Sequence, residues 1–161
     1  MTVLAPMSVE AYASYKQAEV AAFAEENVAC GRWAADGAVE RSQEEFEALL
    51  PQGLATPDNH LFEIRATEAG PAVGFLWFAV EERHGIRGAY VYDVSVKQAF
   101  RRQGHARRAF GALEAVVASM GLSRITLQLS GSNPQAQALY GQLGFAVTGI
   151  SMLKQIPKQN A

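Results

Sequence analysis

The 161-residue chain has an apolar fraction of 49%, a charged fraction of 19% and a formal net charge of -2. These values are typical of one soluble globular domain with a sizeable core, so residues 1–161 are expected to form a single domain. The net charge gives no reason to expect nucleic acid or an anionic membrane as a partner. The one dense basic cluster comprises Arg101, Arg102, Arg107 and Arg108.

The cysteine content and the apolar runs exclude several other classes of protein. Cys30 is the only cysteine, which excludes an intrachain disulfide and a cysteine-based metal site, and no metal is expected. The N-terminal residues lack the basic region and apolar core of a signal peptide. The longest apolar run, residues 72–80, is far too short to span a bilayer. The expected location is therefore cytoplasmic.

The first part of the chain predicts a short strand followed by two helices. Residues 2–5 have the composition of a strand that is closed by a proline. Ser8 is a typical N-cap for a helix that runs to about residue 29. A second short helix is predicted around residues 43–50.

The middle of the chain predicts an antiparallel meander. The three strand patterns span residues 61–67, 72–80 and 89–96. The second of these is apolar on both faces, as expected of a central strand that is covered from both sides. Residues 81–88 are polar and predict a turn between the second and third strands.

The last part of the chain alternates helices and strands. An amphipathic helix over residues 106–120 is followed by a strand over 125–129. Asn133, ahead of a proline, begins another helix, and residues 145–156 predict a final strand. The fold class is therefore mixed α/β, with a central mixed sheet and helices on both of its faces. The strand–helix–strand unit over 89–129 should place its two strands parallel and adjacent.

The turn from Arg101 to Ala106 is a candidate anion site. The first N–H groups of a helix have no partner within the helix, and the helix dipole adds partial positive charge there. Gly104 and Ala106 allow a phosphate to approach the backbone, and the neighbouring arginines add charge. An ordinary helix N-terminus with solvated arginines is the alternative. The turn lacks the glycine spacing of a P-loop or a dinucleotide-binding loop.

Two separate motifs resemble the GCN5-related N-acetyltransferase (GNAT) superfamily. Arg101-x-x-Gly104-x-Ala106 is similar to the Gln/Arg-x-x-Gly-x-Gly/Ala signature of that family. Residues 133–145, with Asn133, Tyr140 and a Leu-Gly-Phe ending, resemble its Asn…Ala…Leu-Tyr…Leu-Gly-Phe stretch. The segment 92–96 resembles the family's fourth strand. Arg102 and Ala106 stand where many members have glycine.

The resemblance implies a GNAT fold with a splayed pair of parallel strands that binds acetyl-CoA. Backbone groups of Val94, Ser95 and Val96 would hold the pantetheine arm and the acyl carbonyl. Asn133 would bond the pantetheine, and Tyr140 would lie beside the thioester sulfur. The pyrophosphate would contact the turn residues Arg101, Arg102, Gln103, Gly104, His105, Ala106 and Arg107. The His105 side chain itself is expected at the surface.

The implied reaction is direct attack of an amine on the thioester. The Val94 N–H is the candidate donor to the oxyanion, and Tyr140 is the candidate acid for the leaving thiolate. Asp93 is a carboxylate in an otherwise apolar and aromatic strand, so it is either the base, an ammonium contact or a structural tie. Tyr90 and Tyr92 are expected on the opposite face of the strand from Asp93, in the acceptor pocket or in the core.

The acceptor site is expected to lie between the first two helices and the loop 51–60, with help from the turn 81–88. Glu25 and Glu26 would suit a cationic amine there, although a solvated helix face is the simpler reading. A non-catalytic acyl-CoA-binding module of the same fold is the alternative to an enzyme. A nucleic-acid binder that uses the arginine cluster is disfavoured by the net charge. Homodimers are frequent in the family, and nothing in the sequence fixes the oligomeric state.

Overall fold

The computed structural model describes residues 2–160. Its five strands, which follow chain order across one sheet, are β1 (Val3–Pro6), β2 (Asn59–Arg65), β3 (Ala72–Arg83), β4 (Ile86–Val96) and β5 (Ile125–Leu127). Its α-helices are α1 (Val9–Ala29), α2 (Ala38–Leu49), α3 (His105–Ser119) and α4 (Pro134–Gln142). The pairs from β1 to β4 are antiparallel and the β4–β5 pair is parallel. The predicted mixed sheet, with its antiparallel meander, is confirmed.

Apolar side chains cover both faces of the sheet, as the pattern of β3 predicts. One cluster joins the α3 residues Phe110 and Leu113 to Leu76 and Phe78 of β3. The other joins α1 and α2 to Trp77. Consecutive residues of β3 thus point into opposite cores, since strand side chains alternate between faces. The sheet is the middle layer between two pairs of helices.

The start of α1 agrees with the prediction from the sequence, whereas the start of α2 does not. The Ser8 side chain accepts a hydrogen bond of 3.1 Å from the Ala11 N–H, which confirms the predicted cap of α1. Helix α2 begins at Ala38, five residues before the predicted start at 43. The residues of α2 before 43 show no apolar stripe, because Ser42 occupies a core position there. The Ser42 hydroxyl donates to the Val20 carbonyl at 2.7 Å. A buried hydroxyl thus replaces the apolar residue that the pattern requires.

The predicted turn over residues 81–88 is wrong. Strands β3 and β4 extend through these polar residues and are joined by His84 and Gly85 alone, both with positive φ (53° and 79°). Two residues in the left-handed region form the tight hairpin connection that matches the twist of the strands. The polar side chains of these residues face solvent at the end of the sheet. Their composition therefore resembles that of a turn, although the backbones pair as regular strands.

Strand β4 contains a bulge at Tyr92. Trp77 pairs with Asp93 and Phe78 pairs with Val91, which leaves Tyr92 without an opposite residue. The parallel pairing with β5 covers only residues 89–91 of β4, although β4 continues to Val96. The two strands therefore diverge immediately after Val91, as the family resemblance implied.

The predicted final strand over residues 145–156 is wrong for this structure. Residues 145–160 contain no strand, and most of their side chains are exposed. A strand requires a partner that accepts and donates its backbone hydrogen bonds, and no strand of the described chain pairs with this segment. Within residues 2–160, no helix is long and apolar enough to cross a membrane.

Candidate active site

A cleft opens where β4 and β5 diverge. It is bounded by β4 on one side, by β5 and the residues after it on the other, and by α1 and α4 at its ends. The lining residues are Glu26, Val91, Tyr92, Asp93, Val94, Leu127, Gln128, Leu129, Ser130, Asn133, Ala136 and Tyr140. The cleft therefore unites Asp93, Val94, Asn133 and Tyr140, which are far apart in the sequence.

Asp93 lies at the centre of a buried hydrogen-bond network. The Tyr15 hydroxyl of α1 donates to Asp93 Oδ2 at 2.8 Å. Glu19 of α1 lies close enough to Asp93 for the charge of Asp93 to affect the pKa of Glu19. Burial raises the pKa of Asp93, while the bonds from Tyr15 and Glu19 oppose this rise. Burial outweighs the opposing contacts, so the pKa of Asp93 lies above its ordinary value.

Glu19, beside Asp93, is a candidate site residue that the sequence pattern did not identify. Burial, then the charge of Asp93 and the hydrogen bond to it, raise the pKa of Glu19 to about 8. The two carboxyls titrate as a coupled pair, and burial favours retention of a proton by the pair near neutral pH. Tyr15, Glu19 and Glu26 recur at helical spacing on one face of α1. That spacing, beside a carboxylate in a strand, was the available signal.

Tyr140 closes the other side of the cleft. Its ring contacts Phe110 and Phe145 edge to face, with centroid separations of 5.4 and 5.5 Å. Burial, with a smaller effect from the charge of Asp93, raises the pKa of Tyr140 to about 12. The hydroxyl therefore remains protonated across the physiological range. Tyr140 is thus both a half-buried core aromatic and a lining residue of the cleft, so the two readings of its apolar stripe are compatible.

The turn before α3 presents a run of free amides. Of the described residues, none accepts a hydrogen bond from the backbone N–H groups of residues 102–107. Arg102 and Gly104 both have positive φ, at 64° and 80°. A Cβ on Gly104 would lie 2.7 Å from Arg108 Nη1. The left-handed φ of Arg102 is a conformation that glycine adopts more readily than other residues. The concave amide run is a backbone nest suited to an anion.

Most of the clustered arginines make contacts within the protein. Arg101 Nε donates to the Val96 carbonyl at 3.1 Å, and this contact links the turn to the end of β4. Arg107 donates to Gln142 of α4. Arg108 donates to Thr2 at 2.8 Å and to the Gln103 carbonyl. The arginines therefore hold the turn between β1, β4 and α4 in addition to any role toward an anion.

The expected surface position of His105 is wrong. Its side chain is 6% exposed and lies against Phe100 and the Thr2 hydroxyl. Burial, followed by the charge of Arg108, lowers the pKa of His105. The residue is buried because β1 packs against the first turn of α3, a contact that the local sequence does not indicate. Only the His105 backbone N–H is directed to the nest.

The bulge at Tyr92 also corrects the expected faces of β4. Tyr92 stacks on Trp77 at 4.6 Å and packs in the core cluster beneath α1, while Asp93 bonds Tyr15 in that same cluster. Tyr90 contacts Tyr92 at 4.7 Å. The three side chains therefore share one face, because the extra residue shifts the alternation. The Tyr92 hydroxyl donates to Glu81.

Some of the remaining predicted site residues line the cleft and others do not. Asn133 lines the cleft, and its side chain caps α4 by accepting from the Ala136 N–H at 3.1 Å. Ser95 lies beyond the divergence of β4 from β5. No residue of the segments 51–60 and 81–88 is among those that line the cleft. Of the predicted acceptor elements, α1 alone contributes to it, through Glu26.

Comparisons with known proteins define the class of this chain. The model of the acetyltransferase (GNAT) family matches residues 20–145. The uncharacterized N-acetyltransferases YycN and YdgE of Bacillus subtilis are 36% and 30% identical to it, over 97% and 95% of this chain and 100% and 97% of their own lengths. The chain therefore belongs to the GNAT family of acetyltransferases.

Solved structures of acetyltransferases have a similar fold. The crystal structure of Bacillus subtilis YycN has a TM-score of 0.92 at 34% identity, over 98% of this chain and all of that one. The fold also resembles AAC(6')-Iy, solved in complex with the bisubstrate analogue CoA-S-monomethyl-acetylneamine, with a TM-score of 0.57 at 16% identity over 98% and 99% of the two chains.

Proposed function

We propose that this protein transfers the acetyl group of acetyl-CoA to a primary amine of a small molecule or peptide by direct attack. The observation that supports this best is the cleft, which brings a proton-sharing carboxyl pair on one side opposite a protonated tyrosine on the other. The proposal treats residues 1–161 as one catalytic domain, consistent with two relatives that align over 100% and 97% of their own lengths.

The donor side of the cleft fits the chemistry of coenzyme A. The free amides of residues 102–107 suit a pyrophosphate, which needs several donors and no side-chain acid beside them. The edge of β4 that faces the cleft beyond Val91 is free of β5 and can bond an extended amide chain such as pantetheine. Asn133 and Tyr140 line the opposite wall. When bound, acetyl-CoA supplies an activated thioester acyl group.

The carboxyl pair is suited to deprotonate the acceptor. An amine attacks only when neutral, so one proton must leave its ammonium form. In the base form Glu19 and Asp93 are both ionised. The proton leaves the nitrogen for Asp93, is shared with Glu19, and passes to water at the half-exposed side of Glu19. A base whose conjugate acid has a pKa of about 8 is well matched to this transfer.

Tyr140 is suited to protonate the leaving thiolate. Its hydroxyl makes no hydrogen bond within residues 2–160 and lines the cleft, so it is available to a ligand. The two edge-to-face contacts with Phe110 and Phe145 fix the ring, which places the proton without further ordering. Val94 lines the same cleft, and its backbone N–H is the proposed donor to the oxyanion.

A panel of amines tests the proposal. Acetyl-CoA is incubated with monoamines, diamines, amino acids, aminoglycosides and peptides, and thiol release is followed together with the mass of the acetylated product. Release that depends on both protein and amine is expected. If no amine class is acetylated while coenzyme A binds, the chain is a non-catalytic binding module.

The substitution Tyr140→Phe examines the acid. Turnover is expected to fall about 100-fold, in the range of a lost general acid, while affinity for coenzyme A remains near wild type. Tyr12→Phe is the matched control, since Tyr12 is a half-buried tyrosine of α1 outside the cleft. Equal turnover in wild type and Tyr140→Phe would remove the acid from the mechanism without affecting the class of reaction.

A further inference from the structure

The Tyr15 hydroxyl is a buried polar group that reaches the cleft from the core beneath α1. The Tyr15 residue is 2% exposed, and its hydroxyl donates to Asp93 Oδ2 at 2.8 Å. Asp93 itself lines the cleft. A buried hydroxyl needs an acceptor, so the bond alone is compatible with a purely structural role. The surroundings of the two groups indicate that the bond also serves the carboxylate.

The Tyr15 ring is held by aromatic side chains of two other elements. Its centroid lies 5.2 Å from that of Phe75 on β3 and 6.4 Å from that of Phe46 on α2, and both pairs are tilted. These separations are within the range of favourable aromatic contacts. Because the ring is packed against β3 and α2, its hydroxyl has little freedom to turn away from Asp93. The donor is therefore fixed before any ligand binds.

Asp93 has no cationic side chain beside it that could orient its carboxylate. No lysine or arginine is among the residues that line the cleft. The titratable groups that face Asp93 are Tyr15, Glu19 and Glu26 on α1 and Tyr140 on α4. The charge of Glu26 disfavours the ionised form of Asp93, whereas the Tyr15 hydroxyl favours it, because a donor stabilises a carboxylate. Tyr15 is therefore a neutral group that both orients and stabilises the carboxylate.

We propose that Tyr15 is a positioning residue of the acetyl transfer, whose hydroxyl fixes the Asp93 carboxylate in the orientation that accepts the proton of the amine; this role rests on the proposed function. The terminal torsion of an aspartate side chain is broad, so the strand backbone alone does not define it. A directed donor on Oδ2 restricts that rotation. Such placement matters because a displacement of about 1 Å costs on the order of 100-fold in rate.

The kinetics of Tyr15→Phe test this role. The substitution removes the hydroxyl and keeps the ring, so kcat at neutral pH is expected to fall about tenfold, while KM for acetyl-CoA is unchanged. The rise of kcat/KM with pH should move to higher pH, because Asp93 loses a donor that favours its ionised form.

Two controls separate the hydroxyl from its surroundings. Tyr12→Phe removes the hydroxyl of a half-buried tyrosine on α1 outside the cleft, and it should alter neither kcat nor the pH profile. Val20→Ala lies on α1 in the same core cluster as Tyr15, so it should lower the free energy of unfolding without moving the pH profile. A loss of kcat and a shift of the profile that Val20→Ala reproduces would assign both effects to core packing and overturn the proposal.

Carbon-13 NMR of the aspartate carboxyls measures the same bond without turnover. The Asp93 signal, identified by its absence in Asp93→Asn, should titrate at higher pH in Tyr15→Phe than in the wild type. Circular dichroism verifies that each variant is folded. If the wild type acetylates amines and Tyr15→Phe matches it in kcat or in the Asp93 titration, the role of Tyr15 is overturned and the proposed function stands. If the wild type acetylates no amine, the proposed function fails, and the positioning role fails with it.

Discussion

Two carboxyl groups that share one proton, Glu19 and Asp93, set the pH range in which the proposed reaction can proceed. Glu19 is half-buried on α1, and its carboxyl is coupled to that of Asp93 on β4. Tyr15 and Glu26 on α1, and Tyr140 on α4, are the other titratable groups that face the pair. None of them is cationic, so the pair has no counter-ion until an ammonium binds.

The first prediction concerns the rate as a function of pH. Because the pKa of Glu19 is raised to about 8, kcat/KM of the wild type should rise as the pH passes through that value. Glu19→Gln retains a donor to Asp93 but removes this ionisation, so the rise near pH 8 should vanish and the plateau should fall about 100-fold. Glu25→Gln, on an exposed face of the same helix, is the control. A rise that persists unchanged in Glu19→Gln would exclude Glu19 from the mechanism.

The second prediction concerns stability as a function of pH. The folded-state pKa of Glu19, about 8, lies above the ordinary value of 4.5, so the folded state binds this proton more tightly. Its contribution to stability is fully present below about pH 4.5 and is lost as the pH rises through 8. The neutral Glu19→Gln should therefore gain stability relative to the wild type as the pH rises, by an amount on the order of a few kcal/mol at pH 9. Urea denaturation at pH 5 and pH 9 measures this, and an equal difference at both values contradicts it.

At the scale of the elements, the backbones of β3 and β4 lie in close contact at Gly74. A Cβ added to Gly74 would overlap the Ser95 carbonyl oxygen and approach Val96 Cα at 3.1 Å. Both contacts are to backbone, which cannot rotate away. The end of β4 can therefore occupy this position only because Gly74 of β3 has no side chain. This end of β4 borders the side of the cleft that is proposed to bind acetyl-CoA.

Gly74→Ala is the third prediction. The substitution should displace β4 around residues 95–96, cost about 1–3 kcal/mol in the free energy of unfolding, and raise KM for acetyl-CoA. Gly111→Ala in the exposed face of α3 is the matched control. A Cβ there meets nothing within 4 Å, so that variant should be stabilised by about 0.5–1 kcal/mol. Equal unfolding energies for the two variants would show that β4 is not constrained at this point.

The regular elements were predictable from the sequence, and the irregular ones were not. Periodicity, the Ser8 cap and the Asn133-Pro134 start located most helices and strands, since each of these signals acts within a few residues. The bulge at Tyr92 depends on the register between β3 and β4, which no local pattern encodes. The start of α2 was concealed by Ser42, whose hydroxyl is satisfied only by a carbonyl of α1.

The same distinction applies to the candidate site. Asp93 and Tyr140 were identifiable because each is unusual for its element or belongs to a motif. Glu19 was not, since a glutamate on a long helix is typically solvated, and only packing of α1 against the bulged strand brings it to Asp93. His105 was misplaced for the same reason, because burial by β1 is a tertiary effect.

At the scale of the whole molecule, the net charge of -2 is the sum of groups of opposite sign that lie at different ends of the cleft. The proposed donor end has the free amides before α3 and the surrounding arginines. The proposed acceptor end has Glu19, Glu26 and Asp93, and no lysine or arginine is among the residues that line the cleft. An anionic donor and a cationic acceptor would thus be attracted to different ends of one cleft, which favours productive over inverted binding.

The last prediction concerns the charge of the acceptor. Glu26 is an exposed lining residue, so its contribution is that of a rim charge rather than a buried pair. Glu26→Gln should raise KM about threefold for an amine that bears a second cationic group, and leave KM unchanged for an amine with a neutral tail. Added salt should reduce the difference between the two amines in the wild type, because exposed charges are screened. Glu25→Gln, one residue away but outside the cleft, should alter neither value. If Glu26→Gln raises KM equally for both amines, the residue shapes the cleft, and its charge does not select the substrate.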